Sequence, residues 1–142
     1  MPTRTADAVW EGGLKDGHGN IKLSSGAFNG KYSFSTRFEG APGTNPEELI
    51  AAAHSGCYSM ALAFGLEQAG HKAKSVHTTA KVTLDKVETG FKITKIVLAV
   101  EANVPGIDEK AFLAAAEAAK KGCPISQALA ATPIELEAKL VK

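Results

Sequence analysis

The stretch from Asn45 to Gly70 narrows the possible folds more than any other, because it reads as one long helix that needs other structure around it. Asn45 is a good N-cap, and Pro46 suits the first helical turn, where its missing amide costs nothing. Glu48 completes a capping-box pattern and is expected to reach back to the Asn45 amide. Gly70 supplies a C-cap, so the helix should run to about Ala69. Along it Leu49, Ala53, Gly56, Cys57, Met60 and Phe64 recur at spacings of three and four, which predicts one buried stripe with Cys57 on it. The small residues from Ala51 to Ala53 and Gly56 would let another backbone come close, so this helix is expected to be central.

On either side the pattern is that of strands. Ala8 to Trp10, Ile21 to Leu23 and Tyr32 to Phe34 are short β-prone runs. Gly12-Gly13, Gly17-His18-Gly19-Asn20 and Asn29-Gly30 separate them, the last being a hairpin signal. No helix follows Gly17 or Gly19, so a Rossmann-type phosphate loop is excluded. After the helix, Ser75 to Val87 and Thr89 to Val104 read as two long strands, with Ala80, Val82 and Leu84 alternating against Lys81, Thr83 and Asp85. Phe91 and Ile93 hold odd positions whereas Ile96, Leu98, Val100, Ala102 and Val104 hold even ones, and this change of phase near Lys95 predicts a β-bulge. Pro105-Gly106 ends the sheet, Asp108 can cap an alanine-rich helix to Gly122, and Cys123-Pro124 opens a short helix through about Ala131. Ile134, Leu136, Ala138 and Leu140 alternate as a last strand, which makes the whole an α+β arrangement.

A length of 142 residues matches a single domain over 1–142. The net charge of +1 leaves no electrostatic footprint for nucleic acid or an anionic membrane. The segment from Met1 to Asp7 has no signal-like apolar run, and no stretch reaches the roughly 18 apolar residues of a membrane span, so a cytoplasmic protein is expected. In that reducing compartment the two cysteines, Cys57 and Cys123, are more often catalytic, metal-binding or inert than a permanent crosslink.

A thiol attacks only as thiolate, and burial on an apolar helix face raises its pKa, so Cys57 needs a cation. His54, one turn back, is mostly neutral at pH 7. Arg37, between strand and helix beside Phe38 and Glu39, is the best candidate, against the plain alternative of a solvated loop arginine. Glu47 and Glu48 suit the positive end of the helix, and one of them could also hold the arginine. Glu47 lies ten residues before Cys57, about 15 Å along one helix at ~1.5 Å per residue. One guanidinium could hardly touch both there, so a neighbouring subunit is expected to supply part of the site in a homodimer. Cys123, at a helix start, rivals Cys57 as the attacking thiol on helix physics alone. Zinc on Cys57, Cys123 and His54, with His71 or His77, lacks the clustered spacing that preorganises a metal site, and no Cys-X-X-Cys unit supports thioredoxin-type exchange.

Taken together, Arg37-Phe38-Glu39-Gly40, the run from Gly43 to His54, the segment Cys57-Tyr58-Ser59-Met60-Ala61-Leu62, Val104-Pro105-Gly106-Ile107-Asp108 and Cys123-Pro124-Ile125-Ser126-Gln127 closely resemble the OsmC/Ohr family of hydroperoxide reductases. The resemblance spans essentially the whole chain, and the setting of Arg37 places it on the OsmC side. It implies an OsmC-like fold in an intertwined homodimer, with the cysteine-bearing helix packed on antiparallel sheets and active sites at the subunit interface. It implies a thiol peroxidase for organic hydroperoxides, and less so hydrogen peroxide, serving oxidative or osmotic stress defence. By the same resemblance Cys57 is the peroxidatic residue, Cys123 resolves its sulfenic acid as a disulfide, Arg37 activates the thiol and Glu47 orients the arginine. On the same resemblance an external dithiol of lipoyl type would reduce the disulfide, with no metal, flavin or haem. The tripeptide Ser55-Gly56-Cys57 stands where the family more often has an alanine-rich approach. Readings of another class are a redox sensor or small-ligand binding protein that signals through its disulfide, and a zinc-holding structural dimer. Phe38, Tyr58 and Phe64 are candidates to line a substrate pocket, or ordinary core.

Overall fold

A computed structural model describes residues 1–142, which form two compact units, Met1–Leu49 and Ile50–Lys142. The first is a meander of β1 (Ala6–Glu11), β2 (His18–Leu23) and β3 (Asn29–Tyr32), all antiparallel, followed by a short helix α1 (Phe34–Phe38). Two expected turns are strand instead. His18 to Asn20 open β2 and Asn29-Gly30 open β3, because the chain reverses through Ser24 to Ala27, where Gly26 takes φ +85° and Leu23 and Phe28 pair across the turn. The third run also ends early, at Tyr32. Ser33 caps α1 with a reciprocal pair of bonds to Thr36, so Arg37 stands on a helix and not in a loop. No apolar side chain of this unit is buried, and Val9 and Leu14 are exposed.

The long helix α2 runs Pro46–Gln68. Asn45 caps it through Oδ1, which accepts from the Glu48 amide at 2.8 Å. The expected return bond from Glu48 to the Asn45 amide gives way to another: its carboxylate accepts from the Thr44 hydroxyl at 2.9 Å. At the far end Gly70, at φ +89°, lets the His71 amide reach the Leu66 carbonyl and closes the helix.

In the second unit β4 (Ser75–Val87) and β5 (Gly90–Asn103) form a long antiparallel hairpin, and the sheet is completed by β6 (Ile134–Leu140). The sheets are antiparallel except here: β6 runs parallel to β5, because α3 (Glu109–Gly122) and α4 (Pro124–Ala128) carry the chain back before it re-enters the sheet. The β-bulge is present, with Thr83 facing Lys95 and Leu84 facing Ile93, so that Thr94 is the extra residue. Asp108 caps α3 by accepting from the Ala111 amide. The helix α4 stops at Ala128, sooner than expected, and turns through Leu129 and Ala130 lead into β6.

The core of this unit lies between α2, the sheet and α3: Tyr58, Leu62, Leu66, Ile96, Leu98, Val100, Ala102 and Phe112 are buried together. The inward stripe of α2 is thus His54, Tyr58, Leu62 and Leu66, with Cys57 at its edge. The expected stripe is displaced by part of a turn, since Ala53, Gly56, Met60 and Phe64 face outward and the last two are 76% and 65% exposed. Because α2 is apolar on both faces, helical periodicity alone could not say which face turns in. The helix is in fact long and apolar enough, by length and composition, to cross a membrane, which corrects the expectation that no stretch is.

Candidate functional site

The residues singled out by chemistry fall into two pairs, one in each unit. In the first unit, α1 presents Arg37 and the first turn of α2 presents Glu47. Arg37 Nε and Nη2 each donate to one carboxylate oxygen of Glu47 at 2.9 Å, the bidentate fork that only arginine can make. Glu47 is buried, whereas the Arg37 side chain is 37% exposed. The hydrogen bond that Arg37 donates to Glu47 raises the already high Arg37 pKa, so its charge is permanent. The local fold is held by Asn45, whose side-chain amide donates to the Thr36 carbonyl at 3.1 Å and ties the start of α2 to α1. Arg37 also lies over the Phe38 ring at 5.3 Å, beside an open pocket of about 250 Å³ lined by Trp10, Leu14, Tyr32, Phe34 and Phe38. Of the three aromatics suggested for a pocket, Phe38 lines this one. Tyr58 is core, its hydroxyl donating to the Ala116 carbonyl at 2.9 Å, and Phe64 lies on the open face of α2.

In the second unit the structure brings together two thiols 66 residues apart in sequence. Cys57 Sγ, on α2, and Cys123 Sγ, at the N-cap of α4, approach to 2.8 Å with both cysteines free. Cys123 is wholly buried; Cys57 keeps part of its surface open. Burial pushes the Cys57 thiol up, and its hydrogen bond with Cys123 adds to this, against a smaller opposing pull from the Ile125 amide. For Cys123 burial acts the same way, but it is outweighed by its hydrogen bond with the Cys57 thiol, by the amide and hydroxyl of Ser126 and by the Ile125 amide, which favour the thiolate. The pair therefore carries one proton readily lost and one firmly held, with the negative charge favoured on Cys123 while no external cation stands by Cys57.

Sequence reasoning did not single out Ser126. It accepts or donates at 2.7 Å to His54 Nε2, so α2 and α4 meet at two rungs, Cys57 with Cys123 and His54 with Ser126. The signal was present: His54 precedes Cys57 by three residues and Ser126 follows Cys123 by three, so each partner lies one turn from a sulfur. His54 is wholly buried and burial lowers its pKa, keeping it neutral. No group of three or more His, Cys, Asp or Glu side chains is placed to hold a metal ion.

Comparison with known proteins bears on what these pairs do. A family model described as OsmC-like protein matches residues 38–139. The chain is 53% identical over 129 residues to peroxiredoxin OsmC of Escherichia coli, covering 90% of each, and 31% identical over 94 residues to organic hydroperoxide resistance protein-like 2 of Staphylococcus epidermidis, covering 63% of each. Among solved structures, the organic hydroperoxide resistance protein OhrB of Bacillus subtilis superposes with a TM-score of 0.72 at 26% identity, covering 96% of this chain and 98% of that one. With that much of its length matched, and with its fold superposing on that solved structure, the chain belongs to the OsmC-like family.

Proposed function

We propose that this chain reduces organic hydroperoxides through a two-cysteine cycle, as a homodimer. A thiol-dependent hydroperoxide peroxidase is the role its relatives support, one being named a peroxiredoxin and another an organic hydroperoxide resistance protein. The observation that carries the cycle is the unbonded contact of Cys57 with Cys123, one sulfur partly open and the other sealed. A hydroperoxide can reach only the open one. Cys57 thiolate attacks the terminal oxygen of ROOH, the O–O bond breaks, and the products are Cys57 sulfenic acid and the alkoxide, which takes a proton to become the alcohol. Cys123 sulfur then attacks Cys57 sulfur; the S–O bond breaks, water leaves and a disulfide forms. A dithiol, of lipoyl type on the family resemblance, returns both sulfurs to thiols by two exchanges.

Arg37 is assigned the charge that draws the shared proton off Cys57 and then donates to the peroxide oxygen, with Glu47 fixing the guanidinium. A charge-assisted bond of this kind contributes roughly 1.5–3 kcal/mol. Two features support the dimer. The open face of α2 is apolar from Ala53 through Gly56, Met60 and Phe64, and the N-terminal meander buries no apolar side chain in this chain by itself. A second copy covers both, with one OsmC-like domain per subunit and active sites at the interface. A cytoplasmic location, a reducing compartment, suits a cycle that needs a dithiol.

Intact-mass measurement of reduced protein before and after one equivalent of cumene hydroperoxide tests the reading. A loss of two hydrogens mapped to Cys57 and Cys123 in one chain is expected; unchanged mass would overturn it. Continued consumption of peroxide with a dithiol separates an enzyme from a sensor, which oxidises once and stops.

A further inference from the structure

His54 is the one buried side chain of the second unit that holds an unsatisfied polar atom. Its ring is wholly buried, Nε2 lies 2.7 Å from Ser126 Oγ, and Nδ1 has no partner. The orphan decides the tautomer. A buried N–H without an acceptor is rarer and costlier than an acceptor without a donor, so the proton belongs on Nε2 and Nδ1 is bare. Nε2–H then donates to Ser126 Oγ. A serine hydroxyl has a single proton, and with its oxygen occupied by His54 as acceptor that proton is left for the sulfur one turn back on α4, Cys123 Sγ, whose charge the Ser126 hydroxyl favours. The chain of donation runs one way, from His54 to Ser126 to the Cys123 sulfur, and ends 2.8 Å from Cys57 Sγ.

We infer that His54 and Ser126 are positioning residues for the resolving thiol: neutral His54 fixes the Ser126 hydroxyl as a donor to Cys123, which holds that sulfur aimed at Cys57 in the form that closes the disulfide. The inference rests on the two-cysteine reading and deepens it. In the closing step Cys57–S–OH and Cys123–SH become Cys57–S–S–Cys123 and water. The S–S bond forms and the S–O bond breaks, the Cys123 sulfur is oxidised and the sulfenic sulfur reduced, and the Cys123 proton leaves with the hydroxide. A donor to Cys123 sulfur favours its thiolate before attack. Because the two sulfurs share one charge, the same donor draws charge away from Cys57, so its loss should not slow the earlier attack on the peroxide, which occurs at the other sulfur.

The two steps therefore separate the role from mere packing. Reduced full-length protein is mixed with one equivalent of cumene hydroperoxide, quenched at intervals and mass-mapped, with dimedone present in a parallel series to trap sulfenic acid. In Ser126→Ala and His54→Leu, closure of the disulfide is expected to slow by about tenfold or more, the effect of losing a hydrogen bond to a charged group, and dimedone to capture Cys57. The first oxidation should be no slower than in wild type, because losing a donor to Cys123 leaves more of the shared charge on Cys57. His54→Gln, whose side-chain NH₂ can stand near the position of Nε2, should restore most of the closure rate. Should His54→Leu fail to fold, Ser126→Ala carries the same test with a smaller change. Closure at the wild-type rate in Ser126→Ala overturns the inference and leaves the two-cysteine cycle standing, and so does an equal fall in both steps. A wild-type protein that forms no Cys57–Cys123 disulfide overturns both.

Discussion

Cys57 and Cys123 face each other at 2.8 Å from two different helices, unbonded, with one proton more than the pair holds easily. Thiolate absorbance of the reduced protein should accordingly titrate in two steps on either side of the ordinary cysteine value of 9.0, the lower step belonging to the pair and not to one residue. Cys57→Ala removes the neighbouring thiol that favours charge on Cys123 and should move the remaining thiol upward. Two coincident, unshifted titrations would contradict the shared proton.

The Arg37–Glu47 fork leads to a second expectation. Arg37→Lys keeps the positive charge but cannot place two parallel donors on Glu47, so kcat/KM for cumene hydroperoxide should fall by about tenfold to a hundredfold. Glu47→Gln should lower it less, because the guanidinium survives with one good acceptor. Steady-state turnover with a dithiol measures both, and an Arg37→Lys enzyme within twofold of wild type would remove the fork from the mechanism.

Stability should depend on pH through His54. Its pKa in the folded state lies below the ordinary 6.5 because burial disfavours the cation, so below pH 6.5 the unfolded chain binds the extra proton. The stability associated with the neutral ring is complete above pH 6.5 and is lost as pH falls toward the folded-state value, at a slope of at most about 1.4 kcal/mol per pH unit. Urea unfolding at pH 7.5 and 5.5 should show a smaller difference in His54→Gln than in wild type. Equal differences would mean that other groups set the acid limit.

The outward face of α2 provides a test of assembly that spares the chain's own packing. A side chain built on Gly56 meets nothing within 4 Å in the same chain, and Phe64 is 65% exposed. Gly56→Leu and Phe64→Asp should leave the secondary structure intact by circular dichroism yet shift sedimentation from dimer toward monomer. Retention of the dimer in both would place the contact elsewhere.

Much of this architecture could be read from local chemistry. Asn45, Asp108 and Gly70 end their helices as their side chains or lack of them dictate, and the phase change between Ile93 and Ile96 located the bulge. The errors arose where two local signals compete. Asn29-Gly30 is a good turn, but Gly26 offered a better placed one and the strands paired around it. The inward stripe of α2 was misassigned because Met60 and Phe64 are as apolar as Leu62 and Leu66, and only long-range contacts with β5 and α3 choose between them. For the site, residue chemistry picked out the two cysteines, Arg37 and Glu47, while their roles came from resemblance. Ser126 stayed hidden, since a serine after a Cys-Pro turn has no meaning until the helix bearing His54 is laid beside it.

The position of the two sulfurs in the chain also makes redox state a mechanical variable. They are 66 residues apart, and the segment between them contains the C-terminal half of α2, the whole β4–β5 hairpin and all of α3. Joining them shortens the unfolded chain's reach by a loop of that size, which on chain-entropy grounds is worth roughly 4 kcal/mol of resistance to unfolding. The oxidised protein, waiting for its reductant, is then the sturdier one, and the reduced protein, ready for substrate, the more yielding: the molecule is hardest to melt or digest when peroxide is plentiful and dithiol scarce.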